Sequence, residues 1–213
     1  MNLTYILFKI QKTFQNSIAL VLAVTILATS FLGYKKVAPS ELPVGYQQRI
    51  EFLEAQMTEK EKESLATNLA KKYKVSLEKS RLFVDTAYLE AQKFPGVSPF
   101  LILAIIEKES SLKDFVTNSY GAVGLMQVVP RWHPEKLKKD KDPVVQLKNP
   151  VTNIKVGSLI LAEYLRKNSG DLRKALIKYS GNASNYSEKV IENKENLKKI
   201  AKESRESFLY PSL

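Results

Sequence analysis

The chain has 213 residues, 44% of them hydrophobic, with no cysteine, a single histidine and a formal net charge of +11. That length suits one good-sized domain plus an accessory segment, and it excludes disulfides, thiolate nucleophiles and cysteine-held zinc, so an enzyme built from this chain works with carboxylates. The positive charge favours an anionic partner, whether nucleic acid, an acidic membrane surface or an acidic wall polymer, and does not choose among them.

The first element is SIALVLAVTILATSFLGY, Ser17 to Tyr34, which carries no charge and is flanked by Lys9 and Lys12 before it and Lys35 and Lys36 after it. It is about as long as a bilayer core demands of a helix. Residues 1–36 therefore read as a membrane anchor or signal segment. The anchor is preferred, because the apolar run continues past the passable cleavage site at Ala28 to Ser30. The α-amino group tips the orientation toward N-terminus inside, which makes the protein single-pass in the inner or cytoplasmic membrane with its domain on the periplasmic or extracytoplasmic side.

Residues 37–85 read as linker and helical stalk. KKVAPSELPVGYQQ, residues 35–48, has two prolines, a glycine and no helical period. From about Arg49 to Lys93, Ile50, Leu53, Leu65, Leu69, Leu82, Val84 and Leu89 fall at mixed helical spacings among Lys and Glu, with a break near Lys74 to Ser76. Nothing there suggests chemistry, and a stalk or packing helices suffice.

The remaining residues, 86–213, read as the main domain with a charged helix at its end. Ser98 and Pro99 predict the cap and first turn of a buried helix. NSYGAVGLMQVVP is turn-rich, with a short helix expected from near Val123. Further helices are expected over about Val151 to Arg166, Asp171 to Tyr179 and Ser187 to Phe208. With no period-two alternation and no internal repeat, the fold class is mostly α.

The chemistry concentrates where the buried helix ends, in IIEKESSLKDF. Glu109 lies four residues after Ile105 and three after Ile106, hence on their face, while Glu107 points elsewhere. A carboxyl against an apolar wall is desolvated and its pKa rises, as a general acid at neutral pH requires. Taken from this helix alone, an ordinary polar residue where a buried helix meets solvent is the better explanation of Glu109.

The wider context favours the acid. Glu109-Ser110, followed by the Gly121-Ala122 pair and the run Gly124-Leu125-Met126-Gln127, resembles the lytic transglycosylase family of the soluble type (SLT domain), related to goose-type lysozyme. NPVTNIKVGSLILAEYL, Asn149 to Leu165, and ALIKYSGNAS, from Ala175, resemble two later segments of that family. Lys178 and Ser180 depart from its alanine and asparagine, and Asn118 stands where many relatives have a serine. The resemblance covers roughly Thr86 to Val190.

It implies a lysozyme-like helical domain that cleaves the β-1,4 linkage between N-acetylmuramic acid and N-acetylglucosamine in peptidoglycan, leaving anhydro-muramic ends. Glu109 is the catalytic acid and then base, and Ser110, Met126, Gln127, Tyr179 and Asn118 bind substrate, with Tyr179 also holding Glu109 through its hydroxyl. Met126 fits a plain core role as well, and Tyr179 fits a packed helix-end aromatic. Trp132 suits a sugar-stacking edge, and His133, beside Pro134, a local turn contact.

No metal or cofactor is implied. The partners are peptidoglycan glycan strands and the membrane, with room for an envelope protein complex and none needed for nucleic acid. Two alternatives stand beside this reading: a lysozyme-type hydrolase with Asp114 as second carboxylate, and a catalytically weak glycan-binding module of an envelope assembly.

Overall fold

The computed structural model describes residues 44–209. The expected membrane segment at Ser17 to Tyr34 lies outside the described residues; among those described, no helix is long and apolar enough to cross a membrane.

Among the described residues seven α-helices follow in order: α1 Val44–Tyr73, α2 Leu77–Ala91, α3 Pro99–Ser110, α4 Pro143–Lys148, α5 Pro150–Lys167, α6 Leu172–Tyr179 and α7 Tyr186–Leu209. Short 3-10 turns at Pro130–Trp132 and Pro134–Lys136 precede α4. Among the described residues there is no strand, only isolated antiparallel bridges pairing Val123 with Thr117 and with Val128.

Local sequence sets most helix starts. Ser76, Ser98, Asp142, Asn149 and Asp171 each accept a hydrogen bond from the backbone N–H three residues on, and α3, α4 and α5 begin with proline. Each such cap contributes about 1 kcal/mol, and proline gives up an N–H that has no helical partner there anyway.

The structure departs from expectation in three places. Val44–Gln48, expected in the linker, already belong to α1. The six-residue α4 was not expected, being too short for a helical period to be legible. No helix starts near Val123: Val123 and Val128 exchange backbone hydrogen bonds of 2.9 and 3.1 Å across a tight turn.

Residues 60–204 form one compact unit, and 44–59 with 205–209 belong to another. The first has α3 at its centre. Leu101 to Ile106 are all 2% exposed or less, so every side of α3 is covered. Leu65 and Leu69 of α1, Phe83 and Val84 of α2, Ile154 and Leu161 of α5, and Val190 and Leu197 of α7 share that core. Each such side chain contributes roughly 1.5–3 kcal/mol on burial. A helix covered on every side can offer polar groups to solvent only at its ends, and the carboxylates stand at one of them.

Candidate active site

The C-terminal end of α3 carries Glu107 and Glu109, with Asp114 in the loop beyond, and the three are treated differently. Glu107 is buried; its Oε1 accepts from Lys72 Nζ at 2.7 Å and Tyr73 Oη at 3.0 Å. Asp114, also buried, accepts from Lys79 Nζ at 2.9 and 3.2 Å. Glu109 remains partly exposed, and its Oε1 accepts from Tyr186 Oη at 2.5 Å. Burial pushes its carboxyl above the usual range, against the smaller lowering effects of the Tyr186 bond and the Lys108 charge.

Tyr186 opens α7 and is itself buried, with Lys108 Nζ 5.9 Å from its ring centroid. Burial first, and the nearby Glu109 charge second, push the hydroxyls of Tyr186 and Tyr179 well above the usual phenol value, so both stay neutral donors. The hydroxyl expected on Glu109 from Tyr179 therefore comes from Tyr186. Tyr179 donates to the Met126 carbonyl at 2.9 Å and meets the Tyr164 ring edge-on. A tyrosine seven residues after Tyr179, at the start of the last helix, was the signal that could have found it.

The segment from Val116 to Val128 is held by side chains from outside. Asn153 of α5, fully buried, accepts from Met126 N–H at 2.8 Å and donates to the carbonyls of Val123 and Leu147, each at 2.8 Å. Gly124, at φ +75, lies so close that a Cβ there would stand 2.6 Å from the Leu147 carbonyl. Gly157 likewise leaves room for the Met126 side chain. Asn153 was legible only as part of a matching segment, because its role depends on which backbone groups fold back onto α5.

The other expected binding residues divide. Met126 is fully buried, a core residue between Gly157 and the turn. Ser110 is buried too, and its Oγ donates to the Ile106 carbonyl of its own helix at 3.1 Å, so both side chains are packed inside the protein. Gln127, in the left-handed region at φ +47, is partly exposed, with Nε2 donating to the carbonyls of Gly124 at 2.9 Å and Val116 at 3.3 Å. Two carbonyl partners fix which end of this amide is nitrogen, with Oε1 as the other end. Asn118 is exposed, and its Oδ1 accepts from the N–H groups of Tyr120 and Ala122, shaping the loop.

Phe115, Tyr120 and Trp132 are exposed on the segments that follow α3. His133 is half-buried, and desolvation pushes its pKa down. Lys178 is exposed, and Ser180 makes a local turn by donating to Ile177 O and accepting from Ala183 N–H. Among the described residues no group of three or more His, Asp or Glu could hold a metal ion. A groove of about 710 Å³, lined by Phe94, Leu101, Leu165, Leu172, Lys194 and others, lies at the opposite end of α3 and contains none of these residues.

The description "Transglycosylase SLT domain" belongs to the family model that matches residues 86–202, more than half of the chain. No curated protein matches the chain.

Proposed function

The chain belongs to the transglycosylase SLT domain family, a lytic-transglycosylase type of domain that acts on peptidoglycan, and from that premise we propose that it cleaves the β-1,4 bond between N-acetylmuramic acid and N-acetylglucosamine without net hydrolysis. Protonated Glu109 gives its proton to the glycosidic oxygen as the bond from that oxygen to the muramic C1 breaks. The departing N-acetylglucosamine leaves as an alcohol. Glu109, now a carboxylate, takes the proton of the muramic C6 hydroxyl as that oxygen closes on C1, forming the 1,6-anhydro ring and restoring the acid. Neither water nor a second protein carboxylate enters, because the substrate's own acetamido group stabilises the cationic C1.

The observation that carries this reading is the unequal treatment of the three carboxylates. Glu107 and Asp114 each hold a lysine within 3 Å, whereas Glu109, among the described residues, is hydrogen-bonded by a neutral phenol and desolvated by burial. A carboxyl so placed keeps its proton to higher pH than a solvated one. Retaining glycosidases set their second carboxylate about 5 Å from the acid and inverting ones roughly 6.5–9.5 Å away. Asp114, the residue a hydrolase would use, is committed to Lys79 by both oxygens, which favours the transglycosylase over the lysozyme-type alternative.

In this reading Gln127 Oε1 and the Asn118 amide nitrogen meet the sugars. Tyr186 and, through the Met126 carbonyl, Tyr179 position the acid and the turn. The helices packed around a buried central one suit the lysozyme-like fold that the resemblance implies. The uncharged stretch at Ser17 to Tyr34 tethers the domain to the inner or cytoplasmic membrane, facing the wall. The test is mass spectrometry of sugars released from purified peptidoglycan by the full chain and by Glu109→Gln. Anhydro-muramic ends that vanish in the variant are expected. Reducing ends would mean a hydrolase, and no release by either protein would leave a glycan-binding module.

A further inference from the structure

The two lysines that hold Glu107 and Asp114 come from one place. Lys72 sits in the last turn of α1 and Lys79 in the first turn of α2, on either side of a corner in which Lys74 takes a left-handed φ of 56° and Ser76 caps α2. Their partners stand on either side of Glu109. The chain between those partners passes through two successive non-glycine residues in the left-handed region, Ser111 at φ 51° and Leu112 at φ 61°, a conformation that surrounding structure must sustain.

The ion pairs are asymmetric in burial. The lysine side chains are 53% and 47% exposed, but the carboxylate side chains only 2% and 11%. Ion pairs between two exposed partners contribute little; here loss of the lysine strands a carboxylate inside the protein, which can escape only by moving toward solvent. Tyr73 adds a second bond to Glu107, and Lys79 Nζ also lies 5.2 Å from the centroid of the Phe115 ring. The α1–α2 corner thus touches the end of α3 and the first residues of the following loop.

We infer that the α1–α2 corner is a positioning element for the acid, in which Lys72 and Lys79 brace the chain before and after Glu109 and so hold its carboxyl on the Tyr186 hydroxyl. Both lysines precede the matched residues 86–202, so the brace belongs to this chain's leading helices and not to the matched segment. The inference rests on the reading of Glu109 as the acid. If the brace is released, Glu109 drifts from Tyr186 Oη. The remaining neighbours that bear on its charge, Lys108 on its own helix and Tyr179 of α6, cannot replace that bond.

The experiment uses the full chain with Lys79→Met, Lys79→Arg and the paired Lys79→Met/Asp114→Asn, the last of which removes the tether without stranding a charge. Anhydro-product formation is measured against pH and substrate concentration, well below each variant's melting temperature. In both Met variants kcat should fall about tenfold, KM should stay within about twofold, and the alkaline limb of the kcat profile should move to higher pH. Lys79→Arg should restore both.

A fall in activity that only follows the unfolded fraction, with the pH profile unmoved, would overturn the inference. Carboxyl ¹³C NMR titration of Glu109 in the same proteins judges it separately from the transglycosylase reading. Even if the unaltered chain releases no anhydro product, an upward-moved Glu109 midpoint in the Met variants supports the brace, and an unmoved one rejects it.

Discussion

As the proposed acid, Glu109 is useful because of what it lacks. Among the described residues its carboxyl is in no lysine ion pair, its burial favours the proton, and its hydrogen bond comes from a group that stays neutral. That bond favours the carboxylate form, so Tyr186→Phe should raise the Glu109 pKa further. The alkaline limb of the activity profile should then move upward while kcat falls by about tenfold to a hundredfold, as pH–rate measurements would reveal. The same shift has a stability cost. A carboxyl whose folded pKa exceeds its unfolded one stabilises the fold most fully below the unfolded value, and that contribution is lost as pH rises through the folded value. Glu109→Gln should therefore raise the melting temperature at pH about 7 and lose that advantage as pH falls toward about 4. Thermal denaturation at the two pH values checks this. The face on which Glu109 lies was legible from helix spacing, and the motif after it singled that residue out; Tyr186, 77 residues away along the chain, was not legible.

At the scale of elements, the turn from Gly124 to Gln127 is built against α5 and does not stand by itself. The sequence suggested a short helix there because Leu125, Met126 and the valines have no intrinsic objection to one. Asn153 overrides that preference by taking the Met126 N–H and supplying donors to two carbonyls, all out of reach of water. Asn153→Leu takes away the acceptor of the Met126 N–H and the side-chain donor of the Leu147 carbonyl, while the Val123 carbonyl keeps its bond from Val128 N–H; it should cost about 3–5 kcal/mol, read from urea denaturation. Gly124→Ala meets two obstacles, a φ of +75 and a methyl pressed on the Leu147 carbonyl. It should cost about 3 kcal/mol or more, and its glycan cleavage should fall even where it is folded, because Gln127 rides on the same turn.

On the scale of the whole molecule, charge and burial act at different ranges. The excess of positive charge, +11 over the full sequence, should draw the protein to an anionic wall polymer. Because the screening length shrinks from ~10 Å at about 0.1 M salt to ~3 Å at about 1 M, binding to isolated peptidoglycan should weaken steeply across that range. As the proposed acid, Glu109 would act at contact distance, so kcat at saturating substrate should hardly change; co-sedimentation and saturation kinetics measured together separate the two.

By itself the sequence determined the mostly helical class, the buried helix beginning at Pro99, its Ser98 cap and the placing of Glu109 on the apolar face, since these follow from periodicity and from bonds between residues three or four apart. Only the tertiary structure decided that Tyr186 and not Tyr179 reaches Glu109, that the side chains of Ser110 and Met126 are packed inside the protein, and that Lys72 and Lys79 claim the two neighbouring carboxylates. Those outcomes depend on which distant side chains packing brings within hydrogen-bond reach, and residue spacing along one chain carries no measure of that distance.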